Sequence, residues 1–149
     1  MKFLSLKKIK NVFFLKLSNL PMPGHAWRPF FVRLGGIQVV DYKKTFFGEN
    51  IGWDTVNPEL IIVESGVRIT AGCTILTHFI DPKTGDYRDG TVLLKKGAFV
   101  GTKSIITKPV TIGRYAVIGA GSVVTKDIPD GEVWAGNPAR CIGKSKIWD

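Results

Sequence analysis

A six-residue repeat runs without a break from Leu94 to Pro129. Cut into sixes, this stretch reads LKKGAF, VGTKSI, ITKPVT, IGRYAV, IGAGSV and VTKDIP. The first place of every hexad is aliphatic, and the fifth is small or aliphatic. The second place is often glycine, at Gly101, Gly113 and Gly119. A fixed internal period of this kind indicates one small structural unit stacked on itself.

The period of six predicts a coiling strand rather than a helix. The fifth place of one hexad and the first place of the next are two residues apart, so on a strand they point to the same face. Each hexad therefore sends two side chains inward and turns through its second to fourth places, where glycine accepts a positive φ without a Cβ clash. Three hexads close one triangular coil, and stacked coils form a parallel β-helix. A sandwich of ordinary strands would show period-two runs instead.

Composition narrows the class of protein. The chain has 149 residues, of which 44% are hydrophobic, which suits one packed domain. It lacks the long apolar run of a membrane-spanning helix. Its two cysteines, Cys73 and Cys141, do not indicate a disulfide framework, so we expect a reducing cytoplasm. The net charge of +9 favours anionic ligands, but no nucleic-acid-binding motif accompanies it, and nucleic acid is not predicted as a partner.

The first 44 residues lack the repeat and are predicted to form a helical and irregular cap, with the β-helix over residues 45–149. Residues 1–17 mix Lys with Leu, Ile and Phe at spacings of three and four, which predicts a short basic amphipathic helix. This helix could cover the open end of the solenoid. It could also make a weak contact with an anionic membrane surface. Residues 18–44, interrupted by Pro21, Pro23 and Pro29, are predicted to be irregular.

Between residues 45 and 80 the repeat is recognisable but imperfect. The pattern assigns these residues to first places: Ile51, Asn57, Val63, Ile69 and Ile75. It assigns these to fifth places: Thr55, Ile61, Val67, Cys73 and Phe79. Asn57 is the one polar residue among the first places, so we expect an imperfect coil there.

A loop is predicted to protrude over residues 81–91. Ile75 and Leu94 are nineteen residues apart, one more than three hexads, so the phase of the repeat slips between them. The intervening segment DPKTGDYRDG is polar and rich in turn-forming residues. Insertions in solenoids project outward and often carry function. After Pro129 the coil is expected to end, and a basic tail follows.

Histidine 78 is the first candidate for a catalytic side chain. The chain contains only His25 and His78, and His78 directly precedes the predicted loop. An imidazole can accept and return a proton near neutral pH. His25 lies beside Trp27 in the irregular segment and is expected to be structural. Asp54, one to two coils before His78, could orient the imidazole or hold a substrate hydroxyl.

The segment IGAGSVVTKDIP, followed by AGNPAR, resembles the hexapeptide-repeat acyltransferases. The closest likeness is to small sugar O-acetyltransferases, including the galactoside and maltose acetyltransferases and those of capsule and exopolysaccharide gene clusters. The resemblance extends from about Phe47 to Arg140. It implies an all-β fold, a left-handed sense of the parallel β-helix, a homotrimer, and acetyl-CoA bound in the groove between adjacent subunits. It implies no metal.

The resemblance also implies roles for individual residues. It places the catalytic histidine on His78 and an acceptor-binding residue on Asp54, where galactoside acetyltransferases carry Asn. It implies contacts with the cofactor for Thr102, Ala120, Thr125, Lys126 and Arg140. Backbone groups at Gly and Ala corners can pair with the pantetheine arm, and Lys and Arg can hold its phosphates. The second histidine of the relatives is missing from this chain.

Together these features predict an acetyl-CoA-dependent O-acetyltransferase that acts on a saccharide hydroxyl. We expect direct transfer with His78 as general base, because no serine nucleophile elbow is visible and neither cysteine is placed beside His78. Transfer to the amine of an amino sugar, or a reaction like that of serine acetyltransferase, stays open. A γ-type carbonic anhydrase needs three histidines on zinc, and the chain has two. A non-catalytic solenoid would fail to bind CoA.

Overall fold

The centre of the protein is a stack of short strands in three sheets, whose strands run parallel except for the last one along the chain. The computed structural model describes residues 5–146. The first sheet contains β1 (Gln38–Val39), β4 (Ile61–Val63), β9 (Val92–Leu94) and β12 (Thr111–Ile112). The second contains β2 (Phe46–Phe47), β5 (Arg68–Ile69), β10 (Phe99–Val100), β13 (Val117–Ile118), β15 (Glu132–Gly136) and β16 (Ala139–Lys144). The third contains β3 (Gly52–Trp53), β6 (Thr74–Ile75), β11 (Ile105–Ile106) and β14 (Val123–Val124).

The order in which the chain visits these sheets defines a parallel β-helix. The strands pass through the first, second and third sheets in turn and repeat this cycle through β14. A parallel bridge between Ile112 and Ile128 marks the next passage beside the first sheet. β15 then pairs in parallel with β13 in the second sheet. The predicted solenoid is therefore confirmed.

The inward side chains stack in columns from coil to coil. Val100 lies opposite Ile69 on one side and Ile118 on the other, and all three are fully buried. Burying each aliphatic side chain of this size stabilises the fold by about 1.5–3 kcal/mol. From Leu94 to Ile128 every first and fifth place of the repeat is buried, so the predicted inward pattern is correct over this range.

The predicted phase is wrong before residue 61. Phe47 and Trp53 are the inward residues opposite Ile69 and Ile75. Trp53 and Val63 are ten residues apart instead of six, because the chain inserts a polar corner that contains a short 3-10 helix, Pro58–Leu60. Because of this insertion, the regular six-residue spacing assigned three residues to the wrong places of the repeat: Ile51, Thr55 and Asn57.

Glycine has two different structural roles at the corners of the coils. A positive φ occurs at the fourth place of the hexads, not at the second, in these residues: Gly66, Gly72, Gly97, Lys103, Tyr115 and Gly121. The second-place glycines are required for close packing of the coils. A Cβ atom on Gly101 would lie 2.5 Å from the backbone nitrogen of Ala120 in the next coil. Stacking of the backbone therefore favours glycine there.

Two hairpins depart from the solenoid. β7 (His78–Ile80) and β8 (Tyr87–Asp89) pair antiparallel, and the predicted loop forms the turn and the second strand of this hairpin. Phe79 lies on this hairpin and not at an inward place. The coil also does not end at Pro129, because β15 adds a further strand and then pairs antiparallel with β16.

The N-terminal segment forms two helices, α1 (Leu6–Leu17) and α2 (Trp27–Leu34). Residues 18–44 are therefore not irregular throughout, since they contain α2 and β1. Proline 29 is tolerated in α2 because it lies in the first turn. α2 packs on β1 and β2, and α1 packs on α2. Val32 of α2 is fully buried, so this helix covers the first coil.

Arg28 of α2 joins the N-terminal segment to the first coil. The residue is only 3% exposed. Its guanidinium donates to the carbonyl oxygens of Ser18, Met22 and Phe47 at 2.8 Å each, and to that of Leu20 at 3.4 Å. Planar guanidinium groups suit such a cluster, because they offer five donors in a fixed geometry.

We expect Arg28→Met to lower the free energy of unfolding by about 3 kcal/mol, because it leaves several carbonyl groups without their donor. The melting temperature should fall by about 6–12 °C in a chain of this size. Thermal unfolding at a fixed protein concentration measures the change. Arg33→Met is the control, since Arg33 is an exposed arginine of the same helix. Equal losses in both variants would contradict the role assigned to Arg28.

Candidate active site

Asp54 and His78 meet at the corner between the third and first sheets. Asp54 directly follows β3, and His78 follows β6 by three residues. Because β3 and β6 pair in parallel with Trp53 opposite Ile75, the two corners lie side by side. The Oδ2 atom of Asp54 is 2.7 Å from Nδ1 of His78. Parallel strand pairing therefore brings together two residues that are far apart in the sequence.

The carboxylate of Asp54 is held by neighbouring donors. Its Oδ1 accepts a hydrogen bond from the backbone nitrogen of Val56 at 2.8 Å. Its Oδ2 accepts from the backbone nitrogen of Thr77 at 2.8 Å and from the Thr77 hydroxyl at 2.6 Å, besides facing His78. The side chain is 1% exposed. This carboxylate is fixed in position and has little surface left for a substrate.

Burial raises the pKa of the Asp54 carboxyl, but the hydrogen bonds outweigh it. The hydroxyl and backbone N–H of Thr77, the backbone N–H of Val56 and the His78 ring all favour the charged form, and the resulting pKa lies below the ordinary value for aspartate. Asp54 is therefore ionised at neutral pH and can only accept hydrogen bonds.

An ionised Asp54 determines the tautomer of the neutral His78 ring. Since Oδ2 accepts, Nδ1 of His78 must carry the proton, and the lone pair of the neutral ring is then on Nε2. The ring also stacks on Tyr87 of the hairpin, with centroids 5.5 Å apart and an angle of 25° between the planes. The His78 side chain is 29% exposed. A basic nitrogen in this arrangement can take a proton from a bound hydroxyl.

Sequence reasoning missed Thr77 and Val56, which hold Asp54. Thr77 is fully buried although it is polar and lies between the repeat and the hairpin. No spacing rule marks it, because its partner lies one coil earlier. The stacking partner Tyr87 was included only as part of the predicted loop.

The five residues predicted to contact CoA lie at three places. Thr125 and Lys126 follow β14 at the same corner as His78. Thr102 and Ala120 lie at the corner between the second and third sheets, where the Thr102 carbonyl accepts from the backbone nitrogen of Gly121. Arg140 is exposed on β16. Thr102, Ala120, Thr125 and Lys126 therefore lie at the two corners where the chain enters and leaves the third sheet.

Lys126 and Arg140 occupy different surroundings. The Lys126 ammonium lies 5.2 Å from the centre of the Trp134 ring, a cation–π contact that positions it beside β15. The Arg140 guanidinium donates to the carbonyl of Ala139, the preceding residue, at 2.9 Å. Both cations remain exposed and can approach an anionic ligand.

The other candidate groups have structural surroundings. The His25 ring lies against Phe46, with centroids 4.9 Å apart. Cys73 is fully buried, burial raises the pKa of its thiol, and Sγ contacts the carbonyl of Gly101 at 3.2 Å. A buried thiol with a raised pKa is a poor nucleophile. Within residues 5–146, no group of three or more His, Cys, Asp and Glu residues is arranged to hold a metal ion.

Comparison with known proteins identifies the family. A sequence profile described as "Bacterial transferase hexapeptide (six repeats)" matches residues 91–126. YvoF of Bacillus subtilis, a protein named as an acetyltransferase, is 33% identical over 141 residues that cover 92% of this chain and 77% of YvoF. The chain belongs to the bacterial hexapeptide transferases. The family resemblance in the IGAGSVVTKDIP segment is confirmed.

Relatives of this hexapeptide transferase include both O- and N-acetyltransferases. The dTDP-3-amino-3,6-dideoxy-alpha-D-galactopyranose 3-N-acetyltransferase of Aneurinibacillus thermoaerophilus is 54% identical over 54 residues. That match covers 36% of this chain and 28% of the relative, so the chain spans much less than the length of this N-acetyltransferase.

Two solved structures share the fold over nearly the whole chain. A maltose O-acetyltransferase from Clostridium difficile has a TM-score of 0.59 and 27% identity, covering 96% of this chain and 90% of the other. A galactoside acetyltransferase solved in complex with coenzyme A has a TM-score of 0.62, covering 97% and 84%. At 21% identity, the second likeness establishes the fold alone.

Proposed function

We propose that this transferase moves the acetyl group of acetyl-CoA to a hydroxyl of a saccharide, with His78 as general base and Asp54 as the residue that positions it. The observation that carries the proposal is the 2.7 Å contact between Asp54 Oδ2 and His78 Nδ1. It leaves the lone pair of Nε2 for the acceptor. Asp54 acts on the ring here, rather than on the acceptor as the resemblance implied.

The reaction is a direct transfer. Nε2 of His78 removes the proton from the acceptor hydroxyl while the oxygen attacks the thioester carbonyl. The tetrahedral intermediate then collapses, the bond between carbon and sulfur breaks, and the imidazolium returns its proton to the CoA thiolate. Backbone N–H groups are the expected donors to the oxyanion. The buried Cys73 and its raised pKa favour this route over an acyl-enzyme.

The cofactor is proposed to bind between subunits of a homotrimer of left-handed β-helices. Thr102 and Ala120 lie at the corner where the chain enters the third sheet, whereas Thr125 and Lys126 lie at the corner where it leaves that sheet. The outward face of the third sheet lies between these corners, and its residues are small or apolar: Gly52, Thr74, Ile105 and Val123. Ile105 is 37% exposed in a single chain, which fits a face that a neighbouring subunit covers.

Transfer to an amine is the second candidate. The observation that favours it is the high local identity to an N-acetyltransferase that acts on an amino sugar linked to dTDP. Coverage supports the O-acetyl proposal instead, because the likeness to the maltose O-acetyltransferase extends over 96% of the chain. A γ-type carbonic anhydrase finds no support in the described side chains.

An acceptor assay tests the proposal. We expect the full-length protein to release CoA thiol from acetyl-CoA in the presence of galactosides or maltose, and mass spectrometry to show one acetyl group on the sugar. Mild alkali should remove this group, because an ester hydrolyses where an amide persists. An alkali-stable product on an amino sugar would establish N-acetyl transfer. No transfer to either class, or an acetyl group trapped on the protein, would contradict the proposed reaction.

A further inference from the structure

The outer face of α1 is an apolar stripe that no other part of residues 5–146 covers. Leu6, Ile9 and Phe13, spaced at i, i+3 and i+7, are 86%, 52% and 59% exposed. Residues with this spacing lie on one face of a helix. We call these three residues the outer stripe. Isolated exposed apolar residues are common, but an aligned set on one helix face indicates a contact surface.

The opposite face of the same helix anchors it to the protein. Asn11 and Leu15 are each 3% exposed, and Leu15 packs closely on Gly35. The Phe14 ring stacks on Phe31 of α2, with centroids 6.3 Å apart. Since α2 already covers the first coil, burial of the solenoid end does not require the outer stripe. The helix is therefore held in place while this stripe faces away from the body.

The charged side chains of α1 all have one sign. α1 has no Asp or Glu, and its four lysines are exposed: Lys7, Lys8, Lys10 and Lys16. Helical geometry places Lys10 and Lys16 on either side of the stripe. Long lysine stems can lie along an apolar surface and extend their ammonium groups to anions at its edge. An apolar stripe with basic flanks is complementary to an anionic lipid surface.

We propose that α1 docks this enzyme on a phospholipid membrane that carries anionic headgroups. The outer stripe enters the headgroup region, and the flanking lysines contact lipid phosphates. Neither helix within residues 5–146 has the length and apolar character of a membrane span, so the helix lies parallel to the surface. This inference concerns a surface separate from Asp54 and His78 and does not depend on the transferase activity.

A second copy of the chain fits the outer stripe less well. A symmetric contact would place the stripes of two copies face to face and bring the lysines of one copy close to those of the other. Like charges at such a distance repel, and α1 has no carboxylate to compensate them. Anionic lipid supplies the missing opposite charge.

Flotation of the full-length protein with vesicles tests this proposal. We expect binding to phosphatidylcholine vesicles that contain about 30% phosphatidylglycerol, and much weaker binding to phosphatidylcholine alone. Ile9→Gln with Phe13→Gln should reduce partition by about tenfold or more. The matched control is Val40→Gln with Ile142→Gln, two apolar residues that are 64% and 67% exposed elsewhere. The control should bind as the unchanged protein does.

A second pair of double variants tests whether membrane binding depends on the lysines of α1 or on the net positive charge of the whole protein. Lys10→Gln with Lys16→Gln should weaken binding by about tenfold. Lys43→Gln with Lys44→Gln, which removes the same charge outside α1, should have little effect. All variants should retain their melting temperature and their acetyl transfer to a small acceptor in solution.

Three results would overturn the proposal. The first is failure of the unchanged protein to float with anionic vesicles. The second is equal flotation of the Ile9→Gln and Phe13→Gln double variant. The third is a lower molecular mass of that double variant than of the parent protein in sedimentation, which would assign the outer stripe to a contact between copies.

Discussion

Replacing His78 with Asn should lower the turnover number by about 10²–10⁴-fold, the usual contribution of a general base. The physical reason is that the variant lacks the Nε2 atom that accepts the proton of the attacking hydroxyl. Asn retains a side-chain N–H that can still face Asp54, so the corner should keep its structure. Initial rates of CoA release at saturating acetyl-CoA and acceptor measure the change.

The chain offers a matched control for this substitution. His25 is the other histidine in the sequence, and its ring packs against Phe46 rather than a carboxylate. We expect His25→Asn to retain turnover. Calorimetry should show unchanged binding of acetyl-CoA in the His78 variant, because residues other than His78 are proposed to hold the cofactor. Full turnover without His78 would require a different base.

Asp54→Asn should be the second large effect, with a loss in turnover of about 10²–10⁴-fold. The amide has one acceptor oxygen where the carboxylate has two. It cannot accept from Val56, Thr77 and His78 as the carboxylate does. If the amide NH₂ faces His78, the ring proton moves to Nε2, and the base is lost. Substrate KM values should change little, since Asp54 is buried.

A spectroscopic readout distinguishes positioning from a structural role. Nitrogen-15 NMR of the histidine ring should show the proton on Nδ1 in the parent protein and a changed tautomer in Asp54→Asn. Asp89→Asn is the control, because Asp89 lies opposite His78 in the hairpin but accepts a hydrogen bond from Asn57. An unchanged tautomer together with lost activity would show that Asp54 acts in another way.

The lowered pKa of Asp54 also predicts a dependence of stability on pH. The carboxylate favours the folded state at all pH values above the ordinary aspartate pKa of about 3.9. As the pH falls through the lower folded-state pKa, the carboxylate is protonated and this stabilisation is lost. Acid unfolding of the parent protein should therefore include a contribution from Asp54 that Asp54→Asn lacks.

The repeat was readable from the sequence because it depends on local spacing. Each inward residue from Leu94 to Ile128 is determined by its place in the hexad, and the structure buries all of them. The same rule failed near Trp53, where four additional residues form a corner. A periodic pattern identifies stacked coils, but it does not show where the chain leaves the period.

The active site could be predicted only in part from the sequence. His78 and Asp54 could be selected by residue type, position and family resemblance, but the contact between them follows from the pairing of β3 with β6. Thr77 has no signal of its own, since its role exists only because an adjacent coil places Asp54 beside it. Likewise, the basic helix was predictable, whereas its exposed face depends on how α1 packs on α2.

The amino-acid sequence by itself determined the solenoid, its inward residues from Leu94 to Ile128 and the family, because these follow from a local period and a family motif within one segment. Only the tertiary structure decided which side chains face each other across the coils, which carboxylate holds the imidazole, and which face of α1 stays uncovered. The physical reason is that such contacts join residues distant in the chain, and their geometry depends on register and packing that no local pattern contains.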